Sequence, residues 1–152
     1  MNQIYYDFFE KMTLLEIVTL RDNPETWPEN NRYINKAQLK IAYKDNLEEK
    51  KHFAEIDWDE EPYSKFRILK EKPPGKFHVK DNKLSFNKEA ITVDDWESFI
   101  DSFRQVRNNL FHGAKLFKES GQLELEDRDD ELINASLEFI SFLEEKELIE
   151  KL

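Results

Sequence analysis

One stretch, residues 92–113, constrains the fold of this chain most strongly, because its apolar residues recur every three or four positions. The recurring residues are Trp96, Phe99, Ile100, Phe103, Val106, Leu110 and Phe111. This spacing is typical of an amphipathic helix with one broad apolar face. Thr92 is a good N-cap residue, and Gly113 is a common residue at a helix C-terminus. The pattern therefore predicts a helix from about Val93 to about His112.

Three further stretches have helical patterns. A broadly apolar helix is predicted from Asn2 to Leu20, and a more polar one from Tyr33 to Phe53. A last helix is predicted after the acidic run at residues 126–130, with apolar residues as far as Ile149. With 152 residues, 39% of them hydrophobic, the chain is long enough for one domain with its own core. The predicted fold class is mainly α, an antiparallel helical bundle in a single domain of residues 1–152.

The segment from about 56 to 90 interrupts the helical pattern. It is punctuated by Pro62, Pro73, Pro74 and Gly75. Four apolar residues, Phe77, Val79, Leu84 and Phe86, alternate with polar ones on the two sides of Asp81-Asn82. This pattern predicts a small β-hairpin insertion between the second and third long helices. Because His78 is out of phase with Phe77 and Val79, we expect it to be exposed.

Arg107 lies within the apolar arc of the 92–113 helix, about 20° from Trp96 in projection. A charge on a buried face needs a partner or a function, because burying an unpaired charge is costly. Either Arg107 covers the edge of the core and forms a salt bridge there, or it belongs to a site. Both interpretations stay open on the sequence.

His112 follows Arg107 by five residues, about 140° around a helix and about 7.5 Å along it. Arginine stabilises phosphate charge with a planar set of donors, and histidine exchanges protons near neutral pH. A frayed last helical turn would let the two side chains converge on a phosphodiester. Alternatively, His112 interacts with the last carbonyl groups of the helix.

The whole string Arg107-Asn108-Asn109-Leu110-Phe111-His112-Gly113 resembles the signature of the HEPN family, Arg-x4-His with a polar residue after the arginine. HEPN domains are antiparallel helical bundles that commonly dimerise. Many are metal-independent ribonucleases of toxin–antitoxin, phage-defence or RNA-processing systems. The resemblance implies Arg107, His112 and Asn108 as catalytic residues, RNA as substrate, a homodimer, and an antitoxin or regulatory protein as a candidate partner. It implies no cofactor.

The resemblance has one departure and leaves two alternatives. HEPN toxins paired with nucleotidyltransferase antitoxins often have tyrosine two residues after the histidine, where this chain has Ala114. We therefore do not expect control by nucleotidylation at that position. The first alternative is a non-catalytic HEPN-like module that binds a nucleotide or a protein. The second is a purely structural helical protein.

Charge is distributed unevenly around the motif. The net charge is −10, which argues against a general nucleic-acid binder. Residues 98–118 nevertheless contain four basic residues and one acidic residue, which suits a confined phosphate site. Within them, Arg104, Lys115 and Lys118 are candidate substrate contacts. Asp101 is a candidate for orienting His112 or pairing with Arg104.

The sequence indicates no metal site and no membrane segment. The acidic residues Asp57, Asp59, Glu60 and Glu61 lack the glycine turn and ligand order of a calcium loop. His52 and His78 have no partners at ligand spacing. The chain has no cysteine, no basic-then-apolar leader pattern and no run of 18 apolar residues. We expect a cytoplasmic protein that does not enter a membrane.

Overall fold

The structure, a computed structural model, describes residues 3–29, 44–120 and 128–149, without the side chains of residues 84, 86 and 112–120. These residues are mainly helical, which confirms the coarse fold class. The helices are α1 (Gln3–Asp22), α2 (Glu48–Lys51), α3 (Ile68–Glu71), α4 (Trp96–Ser120) and α5 (Asp129–Glu145). Two strands, β1 (Lys76–Lys80) and β2 (Lys83–Asn87), lie between α3 and α4.

The first and last predicted helices correspond to α1 and α5, and contacts between them fix their relative direction. The hydroxyl of Tyr5 donates to Asp130 Oδ1 at 3.0 Å, near the start of α5. Lys11 Nζ lies 3.4 Å from Glu144 Oε1, near its end. The second contact lies further towards the C-terminus than the first in both helices, so α1 and α5 run in the same direction. The apolar face between them is part of the core.

Phe139 of α5 is at the centre of the aromatic core and is fully buried. Its ring centroid lies 4.9 Å from that of Phe103 and 5.0 Å from that of Phe99, both on the apolar face of α4. Phe66 reaches the same ring at 5.3 Å from a short 3-10 turn, Tyr63–Phe66. Aromatic pairs at these distances add to the stability gained from burial alone. The core therefore joins α4 and α5 to the segment before the hairpin.

The segment before the hairpin has more helical structure than its sequence predicted. It contains the 3-10 turns Phe53–Glu55 and Tyr63–Phe66 as well as α3. Trp58 and Leu69 are buried in the same core as Phe66. The periodicity that would predict these turns is hidden, because each is only three or four residues long and Pro62 separates them.

The hairpin lies where the alternating pattern placed it. β1 pairs antiparallel with β2 in a register that sets Phe77 opposite Phe86. Asp81 and Asn82 form the two-residue turn with φ angles of 53° and 59°. Both angles are left-handed, as a hairpin turn of the I′ type requires, and Asp and Asn tolerate them better than most residues.

The expected exposure of His78 is wrong. Its side chain is half-buried, whereas Val79 on the opposite face of β1 is 72% exposed. The hairpin packs on α4 through β1, so that contact with the helix decides which side chains are covered. His78 Nε2 lies 3.4 Å from Ser85 Oγ across the two strands.

The second predicted helix is not continuous over its described part, residues 44–53. Its first part, residues 33–43, lies outside the described residues. In the remainder only the four residues of α2 are α-helical, and the turn at residues 45–46 precedes them. The polar composition of this stretch offers no broad apolar face to hold a longer helix against the core.

The last helix ends earlier than its apolar pattern suggested. Glu147 adopts a left-handed φ of 56°, and the N–H of Leu148 donates to the carbonyl of Leu143 at 3.0 Å. The N–H of Glu147 donates to Glu144 at 3.0 Å, which completes a Schellman-type stop. Leu148 and Ile149 therefore pack on the core from outside α5.

The start of α4 corrects the predicted cap at Thr92. The helix begins at Trp96, after Asp95. Asp95 Oδ1 accepts from the N–H of Ser98 at 2.7 Å, and Ser98 Oγ accepts from the N–H of Asp95 at 3.1 Å. This is a reciprocal cap of the capping-box type. Hydrogen bonds from the hydroxyl and then the backbone N–H of Ser98 lower the pKa of Asp95 below its ordinary value.

We expect Asp95→Ala to lower the free energy of unfolding by about 1 kcal/mol at pH 7, the typical worth of an N-cap. The folded-state pKa of Asp95 is depressed. The ionised cap therefore stabilises the fold above the ordinary Asp pKa, and this contribution is lost as the pH falls through the folded value. Urea unfolding from pH 7 to pH 3 measures the difference. Asp101→Ala, an exposed position on the same helix outside the cap, is the control, and an equal, pH-independent loss in both variants would contradict the cap.

Candidate functional site

The motif lies inside a long helix rather than at the end of one. α4 continues through Gly113 to Ser120, so the predicted C-terminal stop is wrong and His112 lies eight residues before the end. A glycine inside a helix costs only about 1 kcal/mol, and Ala, Lys and Leu follow it here as good helix formers. No frayed turn brings Arg107 and His112 together. Their backbone positions stay about 140° apart around one helix axis.

Arg107 is held by an acidic residue of α1. Its Nε lies 2.8 Å from Glu16 Oε1, and its Nη2 donates to Glu16 Oε2 at 3.5 Å. Nε is buried and has no aligned acceptor, so the shorter contact is an ion pair rather than a directed hydrogen bond. The two side chains are 31% and 26% exposed, so the pair is only partly screened by water.

An aromatic platform lies beneath the guanidinium group. The Cζ atom of Arg107 lies 4.3 Å from the ring centroid of Phe111, a cation–π distance. Phe111 in turn meets the ring of Phe9 edge-on, with centroids 4.6 Å apart. Phe9 precedes Glu16 on α1, whereas Phe111 follows Arg107 on α4, so these two helices run in opposite directions. The platform closes one face of the guanidinium plane and leaves its edge for other contacts.

The two asparagines of the motif have different roles. Asn108 is half-buried, and its Oδ1 accepts from Nη1 of Arg107 at 3.2 Å. Asn109 is buried; it accepts from the amide of Gln105 at 2.7 Å and donates to the carbonyl of Gly75 at 2.7 Å. Asn109 therefore attaches α4 to the chain just before β1. Of the two asparagines, only Asn108 contacts Arg107.

The remaining candidates are distributed along α4. Arg104 is half-buried and Asp101 is exposed. His112, Lys115 and Lys118 lie in the helix, but their side chains are outside the described part of the structure. The geometry thus brings together Arg107 and Asn108 and defines only the backbone position of the histidine.

Glu16 is the residue that sequence reasoning missed. It lies at the edge of the buried face of α1, between Leu15 and Ile17. The sequence did contain a signal: an acidic residue at the edge of one helix's apolar face can form an ion pair with an arginine in the apolar face of another helix. Periodicity cannot show which helices meet, so the sequence could not join Glu16 to Arg107.

The acidic residues near α2 form a separate cavity. It has a volume of about 290 Å³ and is lined by eight residues between Glu48 and Tyr63, five of them carboxylates. Glu49 is 3% exposed there and accepts from the hydroxyl of Tyr63 at 3.0 Å. Burial, and then the charge of Glu49, raise the pKa of Tyr63 to about 12. Within the described residues, no group of histidine and acidic side chains has the arrangement of a metal site.

Comparison with protein-family models, with curated proteins and with solved structures gives no match for this chain. Among the described helices, none combines the length and the apolar character needed to cross a membrane.

We expect the Glu16–Arg107 pair to contribute a coupling energy of about 0.5–1 kcal/mol, the upper range for partly exposed pairs. Unfolding of Glu16→Gln, Arg107→Gln and the double variant measures it in a thermodynamic cycle. The same cycle for the more exposed pair Arg67–Asp59 is the control. The coupling should weaken in 1 M NaCl by screening, with a Debye length of about 3 Å. A coupling of zero at low salt would show that the contact does not hold Arg107.

Proposed function

We propose that this protein is a metal-independent endoribonuclease of the HEPN type, in which Arg107, Asn108 and His112 act on an RNA phosphodiester. The observation that carries the proposal is the setting of Arg107. Its guanidinium is fixed by Glu16, Asn108 and the ring of Phe111, at a half-exposed position in the motif. A toxin or phage-defence role and an antitoxin partner belong to the same proposal, through the resemblance alone.

The arrangement of Arg107 supports binding of a phosphate. Arginine has five N–H donors, and two oxygens of a phosphate match a pair of them. A side chain held by three neighbours loses little conformational freedom on binding, so the contact costs less entropy than one made by a free surface arginine. The basic residues Arg104, Lys115 and Lys118 on the same helix add positive charge along the proposed path of the RNA.

The proposed reaction uses the 2′-hydroxyl of RNA as its nucleophile. A histidine removes the 2′-OH proton, the 2′ oxygen bonds to phosphorus, and the P–O5′ bond breaks. A second protonated histidine gives its proton to the leaving 5′ oxygen. Arg107 stabilises the charge that develops on the non-bridging oxygens. The products are a 2′,3′-cyclic phosphate and a 5′-hydroxyl, and the nucleophile is internal to the substrate, so no metal-bound hydroxide is required.

A homodimer belongs to the proposal because one chain supplies one motif histidine. In a single α4 helix, positions 107 and 112 diverge by about 140°. A two-fold axis near the motif would place two arginines and two histidines around one cleft. Each phosphate would then meet the arginine of one copy and the histidine of the other.

A non-catalytic binding module is the second candidate. The charge of Glu16 beside Arg107 weakens the attraction for phosphate, and the net charge of −10 opposes RNA at longer range. These features favour a small nucleotide or a protein partner over a long RNA.

We expect the purified protein to cleave single-stranded RNA in EDTA, to leave 2′,3′-cyclic phosphate ends, and to spare DNA of the same sequence. Arg107→Ala and His112→Ala should each lower the rate at least 100-fold, about 3 kcal/mol of transition-state stabilisation. Lys118→Ala should weaken RNA binding only a few-fold and reduce its salt dependence. Gel analysis of labelled RNA measures the rate and the ends.

Matched controls separate chemistry from charge and folding. His52→Ala removes an exposed histidine outside the motif, and Arg67→Ala removes another ion-paired arginine. Both should cleave at the parental rate. If RNA of several sequences stays intact over a range of pH while binding is retained, the nuclease proposal fails and the non-catalytic binding module takes its place. Cleavage unchanged in the Arg107→Ala, His112→Ala double variant would remove the motif from the mechanism.

We expect a homodimer in solution, with the motif regions of the two α4 helices facing each other. Equimolar mixing of the parent with the Arg107→Ala, His112→Ala double variant should leave about a quarter of the parental activity rather than half, because only the parental dimers keep both histidines of the cleft. Sizing by light scattering at about 20 μM gives the oligomeric state independently of activity, in the concentration range where micromolar assembly is visible. A monomer at that concentration, or a loss of activity on mixing that matches dilution alone, would contradict the shared cleft.

A further inference from the structure

The hydrogen-bonding capacity of Arg107 is only partly used by the residues around it. Nη1 and Nη2 have two N–H groups each, and Nε has one. Nη1 donates to Asn108 and Nη2 donates to Glu16, while Nε faces the other oxygen of Glu16. Within the described part of the chain, one N–H on each η nitrogen has no acceptor. The free N–H of Nη2 belongs to the end of the guanidinium group, because Glu16 occupies the side that Nη2 shares with Nε. The second N–H of Nη1 is the other donor available to a ligand.

The carboxylate of Glu16 takes one side of the guanidinium group and leaves the other. Its two oxygens lie against Nε at 2.8 Å and Nη2 at 3.5 Å, the lateral edge of the group. The ring of Phe111 covers one face at 4.3 Å. A planar group held at one edge and one face can accept a further anion only in its own plane, at the end formed by Nη1 and Nη2.

We propose that Glu16 is the positioning residue of this site: it holds the lateral edge of Arg107 so that Nη1 and Nη2 present a two-donor end to an anion of the phosphate class. The pair of donors fits two oxygens of one phosphate. Glu16 itself touches no substrate. Where that phosphate is the RNA backbone, the inference rests on the proposed nuclease function.

The charge and the position of Glu16 have opposite consequences for an anionic ligand. The negative charge reduces the attraction of Arg107 for phosphate, so its removal strengthens binding. The orientation of the guanidinium serves the transition state, where a misplacement of about 1 Å costs about 100-fold in rate. A positioning residue is therefore recognised by binding and rate that move in opposite directions.

The first test compares Glu16→Ala, Glu16→Gln and Glu10→Gln in RNA binding and cleavage. Glu10 is exposed on the same helix, so Glu10→Gln is the control for net charge. We expect Glu16→Ala to lower kcat at least 10-fold while its Kd for a 12-nucleotide RNA stays equal or tightens. Glu16→Gln, which retains an oxygen acceptor, should keep kcat within about 3-fold, the effect of a neutral hydrogen bond in place of an ionic one.

Two outcomes would overturn the positioning role. If both Glu16 variants bind more tightly and cleave at least as fast as the parent, Glu16 is only an electrostatic competitor. If kcat and affinity fall together in Glu16→Ala, and recover at a temperature well below its midpoint of unfolding, its role is structural. The rate is therefore measured at two temperatures, with the folded fraction from circular dichroism.

A second test does not depend on cleavage. In ¹⁵N-labelled protein, inorganic phosphate should shift the Nη signals of Arg107 and leave its Nε–H signal in place. In Glu16→Ala the Nε–H signal should exchange faster with water and respond to phosphate. If RNA is not cleaved but these shifts appear, the nuclease proposal fails and the positioning inference stands. If phosphate moves Nε–H instead of the Nη signals, or moves nothing, the inference is wrong.

Discussion

Burial of the aromatic face of α4 is the interaction on which the rest of the structure depends. Phe99 and Phe103 pack on Phe139 of α5, and Phe66 closes the cluster from the segment before the hairpin. Fully burying one such side chain is worth about 1.5–3 kcal/mol. The cluster fixes the rotation of α4 about its axis. That rotation decides which later residues of the helix meet α1 and which meet the hairpin.

The motif is divided among these neighbours by helical geometry. Leu110 is buried in the core, and Asn109 binds the chain before β1. Arg107 and Phe111 instead meet Glu16 and Phe9 of α1. A string that looks like one functional unit in sequence therefore contains core residues, an anchoring residue and residues of the candidate site. The candidate site is the part of the string that α1 covers only partly.

The pairing of Arg107 with Glu16 is compatible with both interpretations that the sequence left open for this arginine, a structural salt bridge and a place in a site. The arginine does form a salt bridge at the edge of the core, as a structural residue would. It also keeps N–H donors that the described residues do not use. An ion pair at one edge leaves the other available, so a structural contact and an anion site are compatible in one side chain.

The sequence by itself determined the elements whose signal is local: the helical class, the positions of α1 and α5, and the hairpin turn at Asp81-Asn82. Helix ends were less predictable, because Gly113 permits a stop only where the following residues and contacts favour one. Short turns such as Tyr63–Phe66 were not predicted for a different reason, because too few residues repeat in them to show a period. Only the tertiary structure decided that Glu16 meets Arg107. Helical periodicity specifies which residues share a face, and packing between distant elements specifies which faces meet.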